Sequence, residues 1–400
     1  MLSEHWLDKS TGVLVFSRPE LRLSDGVRFD KRGECFKVYE VDINGVQALP
    51  SEGASVSEAI TCLQGEALRY VLCKEDLPTP DTVRLVSRAL GSEVTYAGIK
   101  DADGFTCQFV TVKCRPGDVF RSNYELLGGR VKLFFRGRDE TMLKRGELGG
   151  NLFEVGLKGL NAIDVATLNE FRTRYRSVSF LNYYGYQRFG SRRPVTHLVG
   201  RALLKGDLRE AVDLIIGRPC PAESLGVARA REAYDRGDLK EALELFPKKF
   251  RFERLLLREL IKGRDLRRTL KVIDEWLLKI YVEAFQSYLF NLSLSRLAIS
   301  FGSVDELART CEALPLPGTN VRAPDKCAQE SIKLIAEELK ELTGKSAYSR
   351  YLREGARETT FTLQELTLKL NESNVLLSFL LKPSTYATIF IRELVGTPSI

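Results

Sequence analysis

The sequence is poor in the side chains that build metal centres. Only two histidines, His5 and His197, occur in 400 residues. That nearly excludes a His-rich metal site or a metalloprotease and argues against a histidine-based triad. The eight cysteines (Cys35, Cys62, Cys73, Cys107, Cys114, Cys220, Cys311 and Cys327) include no C-x-x-C pair, which disfavours a zinc ribbon or a disulfide-rich secreted fold. There is no P-loop and no G-x-G-x-x-G turn. The longest strongly apolar run, Leu376 to Leu381, is broken by Ser378 and falls far short of the ~20 residues needed to span a bilayer. Glu4, Asp8 and Lys9 stand where a signal peptide would be apolar, so the expectation is a soluble cytoplasmic protein. Seven Gln, ten Asn and two Met among 28% charged residues hint at a thermophile. What chemistry remains must run on carboxylates, Lys, Arg and aromatics.

What is present is unevenly distributed charge. Against 60 Lys+Arg stand 53 Asp+Glu, a net charge of +7, but Lys248 to Lys271 carries ten basic residues and three acidic ones. Arg172, Arg174, Arg176, Arg188, Arg192, Arg193 and Arg201 make a second basic region, whereas Asp305 to Lys345 leans acidic. Such asymmetry offers one positive face to a polyanion, or simply solvated helix faces.

The length suggests two or three domains. Phe36 to Ile43 alternates apolar and polar residues, as a half-buried strand does. Asp81 to Leu90 reads as a helix, and Val131 to Phe135 begins a strand. Val94–Lys100 and Phe105–Lys113 flank D-x-D-G as two β-rich runs, a hairpin or tight connection. From about Ile163 the period turns helical. Asp207 and Asp238 each precede a helix with Glu three residues later, an N-capping arrangement. Thr269 to Ser300 reads as one long helix and Gln329 to Leu342 as another. The tail, from Leu376–Leu381 to Ile389–Ile391, reads as strand. A β-rich start and end around a helical middle suggest an inserted domain, with the two ends meeting in one sheet.

Three segments draw attention chemically. In Ala97 to Gln108, Asp101 follows Lys100 at a strand end; a cation there favours the ionised carboxylate, fit for a nucleophile or base, although Asp and Gly are also ordinary turn residues. A calcium loop fails, because position 12 is Val112 rather than a bidentate Glu. Asn182 to Gly190 packs four aromatics with an Arg, an Asn and a Gln, suited to stacking a base and clamping phosphate or to a buried core. Ser384 to Leu394 is an amphipathic segment with a charged pair.

In this order the segments resemble the TruD family of pseudouridine synthases. G-x-K-D-x-x-A-x-T-x-Q is matched by Gly98, Lys100, Asp101, Thr106 and Gln108. N-[YF]-[FY]-G-x-Q-R-F-G is matched from Asn182 and is followed by His197-Leu-Val-Gly200. F-x-V-x-E is matched by Phe36, Val38 and Glu40, and K-x-x-x-x-T by Lys74 and Thr79. Phe285 to Asn291, Leu316-Pro-Gly318 and Tyr386 to Leu394 resemble further family elements. Gly104 replaces the usual Ala, Ser384 a frequent Gly, and Tyr184 a frequent Phe.

The resemblance implies an α+β fold: a pseudouridine synthase catalytic domain, a mixed and mainly antiparallel sheet with flanking helices, formed by residues 1–205 and 358–400. An α-rich insertion domain of the TruD type would span 206–357, with RNA in the cleft between them. It implies an isomerase (an intramolecular transferase) that needs no cofactor and no metal and acts on uridine in tRNA, at position 13, with Asp101 as catalytic carboxylate. Whether that group attacks the sugar, attacks the base or deprotonates C2′ stays open. Tyr184 is the candidate stacking ring, and Asn182 holds nearby polar groups. Lys100 and Lys74 would contact phosphate or tune Asp101. Phe36, Glu40, Gln187, Arg188, Phe189 and Arg392 complete the implied substrate site, most as supports, and His197 is assigned to structure. The expected partner is tRNA, with no membrane and no obligate protein partner. The alternatives are an RNA-binding module without catalysis, and a synthase for another RNA site. A methyltransferase lacks its Gly-rich strand–turn–helix.

Overall fold

The computed structural model describes residues 1–29, 35–50, 58–63, 67–100, 104–190, 193–318, 322–340, 346–371 and 374–397. By packing, the chain forms two units. One is strand-rich and comprises residues 21–178 and 362–387; the other is helical and comprises residues 1–20, 179–361 and the chain from 388 onward.

The strand-rich unit is built on β1 (Phe36–Val41), β2 (Ala67–Glu75), β3 (Val94–Tyr96), β4 (Phe105–Lys113), β5 (Asn123–Leu126), β6 (Val131–Asp139), β7 (Gly150–Lys158), β8 (Glu365–Asn371) and β9 (Asn374–Leu381). Their order is β8-β9-β7-β1-β4-β2-β6-β5, with β3 also on β4. Every pair is antiparallel except β1 with β4. That parallel pair is reached through β2 and the helix Thr79–Leu90, the long crossover a parallel connection requires. β9 pairs β7 along its length, Leu152 facing Leu380 and Val155 facing Leu377, so the two ends of the chain do meet in one sheet. The expected hairpin-like pairing is present too, Val94 opposite Val112 and Tyr96 opposite Val110.

Both faces of this sheet are covered, which is why β2 is buried almost throughout instead of alternating. Leu68, Tyr70 and Leu72 pack with Val83 and Val86 of the helix. Val71 and Cys73, on the opposite face, pack with Tyr39, Cys107, Phe109 and Leu152. The helix buries Thr79, Thr82, Val83 and Val86 at helical spacing and ends on Gly91.

The helical unit is organised around Glu275–Phe301. Helix Thr196–Lys205 crosses it closely: a Cβ on Gly200 would lie 2.0 Å from the Tyr281 carbonyl oxygen, so no larger residue fits. His197, one turn earlier, stacks on Tyr288 at 5.1 Å and meets the Phe189 ring edge-on. Burial lowers its pKa to about 4, which fits the structural role assigned to it. Asp207 and Asp238 cap their helices as expected, accepting from the Glu210 and Glu241 amides. No helix of the described residues is long and apolar enough to cross a membrane.

Several expectations are corrected. The tail residues Ile389–Ile391 lie in a helix, Ala387–Val395. Its buried set includes Thr388, Arg392 and Glu393, so polar residues fill helical core positions and hide the 3.6 period behind an apolar triplet. Thr269–Ser300 is not continuous: a short helix Leu266–Leu270 precedes Glu275–Phe301, with buried Ile273 and the N-cap Asp274 between them. Gln329–Leu342 is likewise divided, into Lys326–Leu334 and Ala336–Leu339; the residues past 340 lie outside the described ones. Packing groups residues 1–20 and 179–205 with the helical unit.

Cysteine is the largest correction. Disulfides join Cys62–Cys114, Cys73–Cys107 and Cys311–Cys327. Their sequence separations are 52, 34 and 16, so the pairs are made by tertiary structure and no local spacing announces them. Cys73 faces Cys107 across β2 and β4.

Candidate active site

Asp101 lies outside the described residues, as does Arg192. The chain on either side of 101–103 is described, and the family-like polar residues are spent on holding it. The Thr79 hydroxyl accepts from the Lys100 N–H at 3.1 Å and donates to Gln108 Oε1 at 3.1 Å. The Gln108 amide donates to the Gly98 carbonyl, also at 3.1 Å. Thus the first turn of the helix and the middle of β4 fix the segment after β3 that leads into position 101. At the exit, Gly104 donates to the Asp76 carboxylate at 2.8 Å, and the Asp76 N–H returns a bond to the Gly104 carbonyl at 3.2 Å. Gly104 has φ +88°, a left-handed conformation that an alanine adopts only with strain. Glycine at this position therefore matters to the loop's path.

Glu40 and Lys100 form a buried ion pair at 2.5 Å, their side chains 1% and 4% exposed. Glu40 also accepts from the Phe109 N–H. Burial pushes the Glu40 carboxyl above its ordinary value, against the lowering pull of Lys100. Lys74 is fully buried on β2, opposite Thr106. Phe36 is buried in the sheet packing against Phe29 and Phe153. Both lysines are thus buried.

The remaining expected site residues belong to the helical unit. Of the four rings in Asn182–Gly190, Tyr183, Tyr186 and Phe189 are core, and Tyr184 alone is half-buried. Asn291, buried on the long helix, brackets the Tyr184 backbone: its Oδ1 accepts from the Tyr184 N–H at 2.8 Å and its Nδ2 donates to the Tyr184 carbonyl at 3.1 Å. The guanidinium of Arg357 lies 4.1 Å from the Tyr184 ring centroid and donates to Asn182 Oδ1 at 2.8 Å and to the Asn182 carbonyl at 3.0 Å. Phe290 meets the same ring edge-on at 5.6 Å. Sequence reasoning missed Arg357. It is a buried arginine between exposed neighbours on a short strand, Ala356–Glu358, and nothing local marks it.

Gln187 accepts from the Thr388 hydroxyl. Arg188 pairs with Glu283 at 2.9 Å. Gln286, one of the Phe285–Asn291 residues, donates to the Pro317 and Arg353 carbonyls, tying the Leu316-Pro-Gly318 segment to the long helix. Arg392 is fully buried. It donates twice to Asp8, at 2.9 and 2.6 Å, contacts Glu393, and stacks over Phe16 at 3.7 Å. Tyr186 donates to the same Asp8. Arg392 therefore clasps the first helix, Trp6–Thr11, to the last. Among the described residues no cluster of three or more His, Cys, Asp or Glu is placed to hold a metal.

Known proteins fit this pattern. The family model described as "tRNA pseudouridine synthase D (TruD)" matches residues 25–310. A probable tRNA pseudouridine synthase D from Pyrobaculum islandicum is 34% identical, covering 97% of this chain and 96% of its own length. One from Sulfurisphaera tokodaii is 32% identical over 84% of this chain and 86% of its own. The crystal structure of a putative TruD from Methanosarcina mazei superposes with a TM-score of 0.70 at 22% identity, covering 98% of each chain, and shares the α+β fold. With the family model spanning most of its length, the chain belongs to the TruD family of tRNA pseudouridine synthases.

Proposed function

We propose that this protein isomerises uridine to pseudouridine at position 13 of tRNA, with Asp101 as the catalytic carboxylate. The observation that carries this reading is the two-sided clamp: Thr79 and Gln108 hold the backbone up to Lys100, and Asp76 holds Gly104. Of the two acidic residues between these fixed points, Asp101 and Asp103, Asp101 is the one next to Lys100 that matches the family pattern, and a carboxylate reaction with no cofactor needs such fixed ends because orientation then comes from the fold. The reaction breaks the bond from C1′ to N1, turns the uracil, and forms a bond from C1′ to C5. The C5 hydrogen leaves as a proton and N1 gains one. The base must leave its stack, at a cost of a few kcal/mol, and Tyr184, held by Asn291 and Arg357, is the ring that receives it. Lys100 and Lys74, buried as they are, act on the site's electrostatics.

The α-rich insertion of 206–357 and the basic stretch Lys248–Lys271 within it supply phosphate contacts. RNA affinity then falls steeply with salt, as counterion release requires. A tRNA substrate supports a cytoplasmic location. The test is tritium release from 5-tritiated uridine in tRNA, which isomerisation alone produces, together with mapping of the modified position. Asp101→Asn is expected to lose at least about 1,000-fold in rate, consistent with removal of an essential catalytic group, while still binding tRNA. Normal turnover by that variant would sink the assignment.

A further inference from the structure

The helical unit exposes aromatic rings among cations at a place none of the site residues occupies. Trp276, at the start of the long helix, is 56% exposed. Its indole N–H is tied to Asp274 at 3.3 Å, and its ring meets that of half-buried Phe252 at 6.1 Å and 70°. The Arg251 guanidinium lies 5.5 Å from the Phe252 ring. On the other side of the helix start, Glu275 accepts from the Tyr351 hydroxyl at 3.0 Å and pairs with Arg350 at 3.6 Å. Arg350, 67% exposed in its side chain, continues into a cavity of about 680 Å³ also lined by Arg322 and Arg353.

We propose that this face, made by Trp276 and Phe252 and flanked by Arg251, is a stacking platform for an unpaired stretch of the tRNA. It rests on the reading of the protein as a tRNA enzyme. Single-stranded RNA is held by aromatic faces for the bases and cations for the backbone, and both are present here. The two nearby carboxylates do not oppose it: Asp274 is engaged by the Trp276 N–H, and Glu275 by Tyr351 and Arg350. A purely apolar partner would leave Arg251 and the basic stretch Lys248–Lys271 around it unmatched.

The sequence has only two tryptophans, Trp6 and Trp276, so W6F leaves Trp276 as sole reporter in the full-length protein. Unmodified tRNA and a short oligouridylate are expected to quench its fluorescence, and a blunt RNA duplex to leave it unchanged. W276A is expected to raise KM for tRNA about 10-fold, as loss of one stacked base predicts, with most of the loss recovered in W276F. Three results would each overturn the platform: unchanged emission at saturating tRNA, equal quenching by duplex, or a wild-type KM in W276A. Loss of self-association in W276A without any effect of RNA would assign the face to a second copy instead. Quenching by tRNA in a protein that releases no tritium would leave the platform standing and sink the enzymatic reading, so the two fail separately.

Discussion

The two units differ in how their buried charges are arranged. In the strand-rich unit, Thr79, Gln108, Asp76 and the Glu40–Lys100 pair hold the chain at Gly98–Lys100 and at Gly104. Their bonds go largely to backbone, and they fix where the chain runs. In the helical unit three of the buried charges, Asp8, Arg392 and Glu393, lie together, joining segments far apart in sequence. Family-like residues occur in both, so a match to a motif does not say whether a residue positions chemistry or holds a fold. Burial and partner identity do.

The sharpest way to break this contrast is R392M. It leaves Asp8 buried without its cation, and the cost is about 3–5 kcal/mol, read as a lowered melting temperature. Adding D8N should return part of it, since it removes the unpaired buried charge yet still accepts from Tyr186; no recovery would mean that the stranded Asp8 charge is not the source of the loss. T79V acts on the other side of the contrast. It strands the Lys100 N–H and Gln108 Oε1, at about 1–3 kcal/mol, and should lower kcat more than 10-fold with KM for tRNA little changed, T79S restoring both. If the loss fell on KM instead, the clamp would serve binding. The smallest expected effect is a gain. Ser384 has φ +67°, a conformation that glycine adopts without penalty, so S384G should stabilise the protein by about 0.5–1 kcal/mol in thermal unfolding.

Much of the strand-rich unit was legible, because β1 and β4 carry runs long enough to read and the segment around Asp101 follows a strand. The capping aspartates were legible for the same local reason. The last helix was not, since Arg392 and Glu393 at buried positions break the apolar period that signals a helix. The division at Lys271–Asp274 was missed because Ile273 continues the apolar stripe while the backbone does not continue the helix. Of the aromatic segment, the sequence singled out Tyr184 but not the two groups that hold it; Arg357 and Asn291 are 173 and 107 residues away, beyond any local pattern. The disulfides depend on strand register in the same way. Each closes a loop whose loss of chain entropy corresponds to about 3–4 kcal/mol. Intracellular proteins of hyperthermophiles are a known setting for such bonds, in keeping with the scarcity of Gln, Asn and Met.

The clasp between Asp8 and Arg392 spans 384 residues, and this sets an order of assembly during synthesis. At roughly 5–20 residues per second, the first helix waits roughly 20–80 s for its partner to be made. Residues 362–387, which complete the sheet, leave the ribosome before Arg392 does. The sheet and the clasp are therefore both completed by the same late stretch of chain, whereas Tyr186, made far earlier, can already reach Asp8.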